Sequence, residues 1–211
     1  MARPIVYGVA MSPYVWSVRL ALAEKGVAHD LVSVGVDEFR SEAHLARHPF
    51  GKIPALEHDG FMLYETQAIM RYVDEAFPAA PLQPIEVHPF ARMNQIMGIV
   101  DNYLTPTLLA NVIFQRMVAP RLGRNVDEEA IAAALPKVRH CLGEIARLAS
   151  EQPFLAGESL TLADLMAIPQ LYYFRKLPEG AAQFAELPAL AAWVNRMEER
   201  QSLQVTRPPA M

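Results

Sequence analysis

Apolar and polar positions follow two regimes along this chain of 211 residues. In the first 80 residues the apolar runs are short and broken by turn signals. Ile5-Val6-Tyr7-Gly8-Val9 has strand length. Ser12-Pro13 then supplies an N-cap and a first-turn proline for a helix through Val15, Val18, Arg19, Leu22 and Ala23, with Gly26 just past its end. Asp30-Leu31-Val32-Ser33-Val34 reads as a second strand, parallel to the first because a helix joins them. A short helix over 42–47 follows. Ala55–His58 and Phe61–Tyr64 flank Asp59-Gly60, a type I′ hairpin signal. From Thr66 to Phe77, Ile69, Met70, Tyr72 and Val73 fall on one helical face.

Pro78, Pro81, Pro84 and Pro89 then oppose continuous helix, so 79–89 is expected to be a stiff linker. Beyond it helical periods dominate, over roughly 90–118, 127–149, 161–176 and 188–200. The order β-α-β-α-β-β-α describes an α/β thioredoxin-like domain over 1–78, with a mixed four-stranded sheet. An all-α helical domain over 90–211 completes the chain. One start there is well marked: Thr161 as N-cap, Asp164 three residues on, and Leu160 and Leu165 as a staple. That signal reads as folding chemistry.

Composition narrows the possibilities. A formal charge of -4 with interspersed signs leaves no electrostatic footprint for nucleic acid. The uninterrupted apolar runs are shorter than the roughly 18–20 residues of a membrane span, so no membrane partner is expected. The first residues lack the apolar core of a signal peptide, and the single cysteine, Cys141, suits a reducing compartment. A cytoplasmic location is the expectation. Cys141 shares a helical face with Val138, Leu142 and Ile145 and reads as an inert core thiol. The six histidines (His29, His44, His48, His58, His88 and His140) are read as forming no metal site, and no phosphate-cradling glycine motif occurs.

Three short segments carry candidate chemistry. Pro54 precedes a strand, where proline cannot donate to the ladder. A cis Ile53–Pro54 bond would turn the chain and leave the Ile53 backbone to pair with an extended peptide; an ordinary trans proline ending a loop is equally consistent. At Glu65-Thr66 a helix opens with a hydroxyl and free N–H groups suited to a carboxylate, while Glu65 suits an ammonium group; Thr66 capping only its own helix is the plainer reading. The Ser12 hydroxyl, at the start of the first helix, can donate to a thiolate or merely cap.

Taken together, these segments resemble the soluble glutathione transferase superfamily along essentially the whole chain. The matching stretches are Tyr7 to Pro13, Val18 to Gly26, Pro49-Phe50-Gly51-Lys52-Ile53-Pro54-Ala55-Leu56, Tyr64-Glu65-Thr66-Gln67-Ala68-Ile69, and Leu160 to Asp164. The resemblance is closest to the serine-type phi, theta and zeta classes. It implies glutathione as co-substrate, transferred to a small hydrophobic electrophile, with no metal. It implies Ser12 beside the sulfur, with Tyr7 as the rival, and a cis Pro54 with the Ile53 backbone on the cysteinyl part. The γ-glutamyl end falls to Thr66 and Glu65. Lys52 is implied near the tripeptide's backbone or its glycyl carboxylate, Arg40 at the glycyl end, and Asp101 facing glutathione or the partner subunit. Met11, Tyr14, Tyr103, Phe114 and Met117 are the expected acceptor pocket. A homodimer is also implied.

Several positions depart from the family pattern. Thr66 stands where serine is usual, and Phe39-Arg40 where phi-like enzymes carry His-Lys. Tyr14 occupies the place of the zeta cysteine, which weakens an isomerase reading. Glutathione-dependent isomerisation, dehalogenation or peroxide reduction, and a non-catalytic scaffold, are the alternatives.

Overall fold

A computed structural model describes residues 2–150 and 152–209. Two compact units emerge: residues up to Gln83 together with the segment from Glu199, and residues Pro84–Glu198.

The first unit is built on four strands in the order β2-β1-β3-β4. β1 (Ile5–Tyr7) runs parallel to β2 (Asp30–Val32) and antiparallel to β3 (Ala55–His58), which pairs antiparallel with β4 (Phe61–Tyr64). β1 and β2 are both shorter than their apolar runs. Gly8 explains this: its N–H takes the Val32 carbonyl at 3.0 Å, and the chain then turns away toward Ser12. The hairpin has the expected geometry, with positive φ at Asp59 (51°) and Gly60 (79°), as a type I′ turn requires.

Helix α1 (Pro13–Glu24) buries residues around its whole circumference, among them Val15, Trp16, Val18, Leu20 and Leu22, so it lies inside the unit. α2 (Glu42–Leu45) is a single turn, and α3 (Thr66–Ala76) buries Ile69, Met70 and Val73 on one face as its period predicts. At the end of α1, Lys25 Nζ meets Asp74 Oδ1 at 3.0 Å, with both side chains almost fully buried. Asp74 also accepts from Leu82 N (2.8 Å) and Gln83 Nε2 (3.2 Å), so the chain through Gln83 is fastened to this unit.

The second unit begins with α4 (Val87–Leu122), 36 residues long and apolar enough by length and composition to span a bilayer. This corrects the reading from uninterrupted runs, which missed how separate apolar segments join into one helix. Half of its most apolar stretch is buried inside the protein, as in a core helix. The helix winds in π fashion over Val100–Leu104 and Leu109–Val118. Pro106 has no N–H to offer the preceding turn, and the Thr105 hydroxyl donates to the Val100 carbonyl at 2.7 Å, which loosens the α pattern there.

α5 (Glu128–Ala149), α6 (Leu162–Phe174), α7 (Pro178–Ala185) and α8 (Pro188–Glu198) complete this unit. Every residue of α6 is buried, making it the axis around which the others pack. Its start has the expected box, with more in it than capping. Asp164 is completely buried and accepts four hydrogen bonds: from Thr161 N and Oγ1 (both 2.9 Å), Leu155 N (2.8 Å) and Trp193 Nε1 (2.9 Å). Burial pushes its carboxyl up, against the pull of those four donors. Cys141 is buried on α5, and burial raises its thiol.

The last helix, α9 (Gln201–Thr206), groups with the first unit, whereas the sequence reading carried the helical domain to residue 211. Polar contacts to α1 explain it. Trp16 Nε1 donates to Thr206 Oγ1 at 2.9 Å, and Arg200 holds Glu24 through two bonds of 2.8 Å.

Candidate active site

The sheet register brings the first unit's candidate residues together. Tyr7 pairs with Ala55, and Ala55 with Tyr64, so the ends of β1 and β4 and the start of β3 lie in one row. Everything leaving that row emerges at the same edge: Gly8 to Ser12, Ile53-Pro54, and Glu65-Thr66. Gly8 makes the approach possible. A Cβ there would meet Val15 Cγ2 at 2.5 Å and Ile53 Cβ at 3.2 Å, so only glycine lets Ile53 lie against the start of α1.

Each candidate has a defined local role. Ser12 sits at the N-cap of α1, half-buried, its Oγ accepting from Val15 N over a long 3.4 Å. The Ile53–Pro54 bond is cis. Glu65 is exposed and held at φ 72°, ψ 116°, a region a residue with a side chain enters at a cost of about 1–3 kcal/mol. Such outliers concentrate at functional positions. Thr66 follows, buried, as the first residue of α3. Lys52 is exposed, and the Arg40 side chain lies over the neighbouring Gly51.

Tyr7 is differently employed. Its hydroxyl donates to Glu57 Oε2 at 2.7 Å across the sheet, and the Arg47 guanidinium lies 4.4 Å from its ring centre. Burial, then the hydrogen bond and charge of Glu57, push the phenol above its ordinary value, against the cation of Arg47. A base or thiol activator needs the opposite shift. The stability this neutral phenol contributes is fully present below about pH 10, its unfolded value, and is lost as pH rises through the higher folded value. Ultraviolet titration should therefore show Tyr7 ionising above pH 10, and Tyr7→Phe should leave the pH–rate profile between about 6 and 8 unchanged.

Two histidines that the sequence reading passed over stand behind this edge. His44 and His48 are spaced i, i+4, their rings stacked with centres 6.4 Å apart. His44 Nε2 meets the Lys52 carbonyl at 2.8 Å, steadying the loop before Ile53. His48 lies 4.9 Å from the Tyr64 ring, and burial lowers its pKa. Their spacing was the available signal. Among the described residues no group of three or more His, Cys, Asp and Glu side chains is placed to hold a metal.

The remaining candidates lie on the helix of the second unit or at the entrance of α1. Met11 is exposed and Tyr14 half-buried in the first turn of α1. Asp101 and Tyr103 sit in the first π segment, half-buried and exposed respectively. Phe114 and Met117 are half-buried in the second.

The sequence profile for the glutathione S-transferase N-terminal domain matches residues 6–81, and that for the C-terminal domain matches residues 128–196. The chain belongs to the glutathione S-transferase family. A curated relative, glutathione S-transferase 4 of Zea mays, is 32% identical over 92% of this transferase and 87% of its own length. The solved structure of glutathione transferase F7 from Populus trichocarpa is 30% identical, covers 96% of this chain and 97% of its own, and superposes with a TM-score of 0.86. Maize glutathione S-transferase I, solved in complex with an atrazine glutathione conjugate, is 28% identical over 97% of this transferase and 96% of its own chain, with a TM-score of 0.86.

Proposed function

We propose that this transferase conjugates the glutathione thiolate to a small hydrophobic electrophile, with the Ser12 hydroxyl donating a hydrogen bond to the sulfur. The observation that carries the reading is the contrast between two hydroxyls. Ser12 accepts only a long bond from Val15 N, leaving its proton to donate outward, whereas the Tyr7 proton is committed to Glu57. A free thiol titrates near 8.5. A hydrogen bond to the charged form and the N-terminus of α1 both favour the thiolate. Ser12 need not remove the proton, which leaves to solvent. The sulfur lone pair then forms the bond to carbon as the leaving group departs.

In this reading the first unit binds glutathione, and the second, Pro84–Glu198, supplies the acceptor side. The Ile53 backbone pairs with the cysteinyl residue, as an added strand would. Thr66 and the N-terminus of α3 hold the γ-glutamyl carboxylate, with Glu65 accepting from its ammonium group. Lys52 and Arg40 face the glycyl carboxylate. Met11, Tyr14, Tyr103, Phe114 and Met117 line the acceptor pocket, and Asp101 faces glutathione. The enzyme works as a cytoplasmic homodimer.

Retention on immobilised glutathione, with turnover of a chlorodinitrobenzene, tests the proposal. Thr66→Val keeps the shape of the side chain and removes its hydroxyl. Losing a hydrogen bond to a charged group should raise KM for glutathione about 10–100-fold with kcat little changed. A chain that neither binds the resin nor turns over the electrophile is a scaffold, and the proposal fails.

A further inference from the structure

The peptide that joins Lys52 to Ile53 is held from one side and open on the other. Its carbonyl accepts from His44 Nε2 at 2.8 Å. A carbonyl only accepts, so Nε2 carries a ring proton. The other ring nitrogen, Nδ1, is buried with no hydrogen-bond partner among the described residues, so this one bond is the polar work of the His44 ring. On the open side, the Ile53 N–H makes no hydrogen bond among the described residues.

The two sides are mechanically linked. A trans peptide is planar, and its C=O and N–H point in opposite directions. The bond after Ile53 is cis, but the one before it is trans. By drawing the Lys52 carbonyl toward α2, His44 therefore turns the Ile53 N–H away from α2.

The His44 ring is itself fixed. It is 1% exposed, with the Phe39 and His48 ring centres 5.9 and 6.4 Å from its own. Ser41 Oγ accepts from His44 N at 3.2 Å, and successive turns run from His48 N to the His44 carbonyl and from Gly51 N to the His48 carbonyl, each at 2.8 Å. A Cβ at Gly51 would meet the Phe39 carbonyl oxygen at 2.6 Å, so the segment 39–52 closes tightly on itself.

We propose that His44 is a positioning residue for glutathione: it fixes the Lys52–Ile53 peptide so that the Ile53 N–H is aimed at the cysteinyl carbonyl. The inference rests on the reading that the Ile53 backbone pairs with the cysteinyl residue. A peptide already held in the bound orientation need not be ordered when the ligand arrives, which strengthens binding. His44 touches neither glutathione nor the sulfur in this arrangement, so its effect falls on affinity and spares the chemistry.

Three variants test it. His44→Leu keeps much of the ring's bulk and removes the donor. His44→Gln carries an amide N–H to about the place of Nε2, and His44→Asn only to about the place of Nδ1, short of the Lys52 carbonyl. In the leucine variant KM for glutathione should rise about 3–10-fold, the worth of one hydrogen bond, with kcat at saturating glutathione and the thiol titration of the binary complex unchanged. Gln should recover most of the loss and Asn little. An unchanged KM in His44→Leu, an equal rise in His44→Leu and His44→Gln, a fall in kcat or a shifted thiol titration overturns the proposal. If the leucine variant does not fold, equal KM in His44→Gln and His44→Asn overturns it. Failure of the unaltered chain to bind immobilised glutathione removes the reading beneath the proposal, whereas normal retention with KM unmoved by the variants removes the role of His44 alone.

Discussion

Asp164→Ala should destabilise the protein by about 3 kcal/mol or more, because it orphans several buried donors at once. The variant leaves Leu155 N, Thr161 N and Trp193 Nε1 without their acceptor at a fully buried point, and each orphaned donor costs about 1–3 kcal/mol. The loss comes where three pieces of chain meet: the segment around Leu155, the start of α6 and Trp193 on α8. A lower urea midpoint for the transition of the helical unit is the reading expected. Asn at this position keeps the size but turns an amide N–H₂ toward donors, so it should recover only part of the loss. If Asp164→Ala unfolds at the midpoint of the unaltered protein, the four-bond hub is not what holds α6.

Ser12→Ala should return the thiol of bound glutathione toward its free value near 8.5 and slow conjugation at neutral pH by about 10–100-fold, one decade for each pKa unit. The thiolate absorbance of the binary complex, followed against pH, measures the shift directly. Binding should change little, because Ser12 touches the sulfur alone in the proposed arrangement, and the effect should shrink as pH rises past 8.5. Ser12→Thr, which keeps the hydroxyl, should retain most of the activity. A Ser12→Ala titration curve superimposable on that of the unaltered enzyme would reduce Ser12 to a helix cap. Tyr7→Phe is the matched control, since its proton is already given to Glu57.

What could be read in advance was what depends on neighbours in sequence. The Asp59-Gly60 hairpin, the Ser12-Pro13 helix start and the Thr161/Asp164 box are each specified within a few residues, and the structure has all three. Helix α7 was hidden because Pro178-Glu179-Gly180 carries the chemistry of a turn. α9 was hidden because it buries Ser202 and Thr206 beside a lone leucine, Leu203. In both, packing overrides a weak local signal. The same limit governs the site. Ser12, Pro54 and Glu65-Thr66 are recognisable where they stand, but the employment of Tyr7 depends on Glu57 and Arg47, fifty and forty residues away in the chain. The strained φ of Glu65 and the support His44 gives to Lys52 likewise arise only when the strands pair.

The bond from Trp16 to Thr206 spans 190 positions of sequence. During synthesis the first unit is therefore begun before the helical unit and completed only after it. Until Arg200 and α9 leave the ribosome, one face of α1 has no cover: the Trp16 indole N–H and Glu24 wait for partners that do not yet exist. The nascent chain must carry that exposed face through the interval, a window in which it is open to chaperones and to aggregation. A chain stopped before Gln201 would lack the helix that covers α1, so its damage would appear some 190 positions upstream, at Trp16.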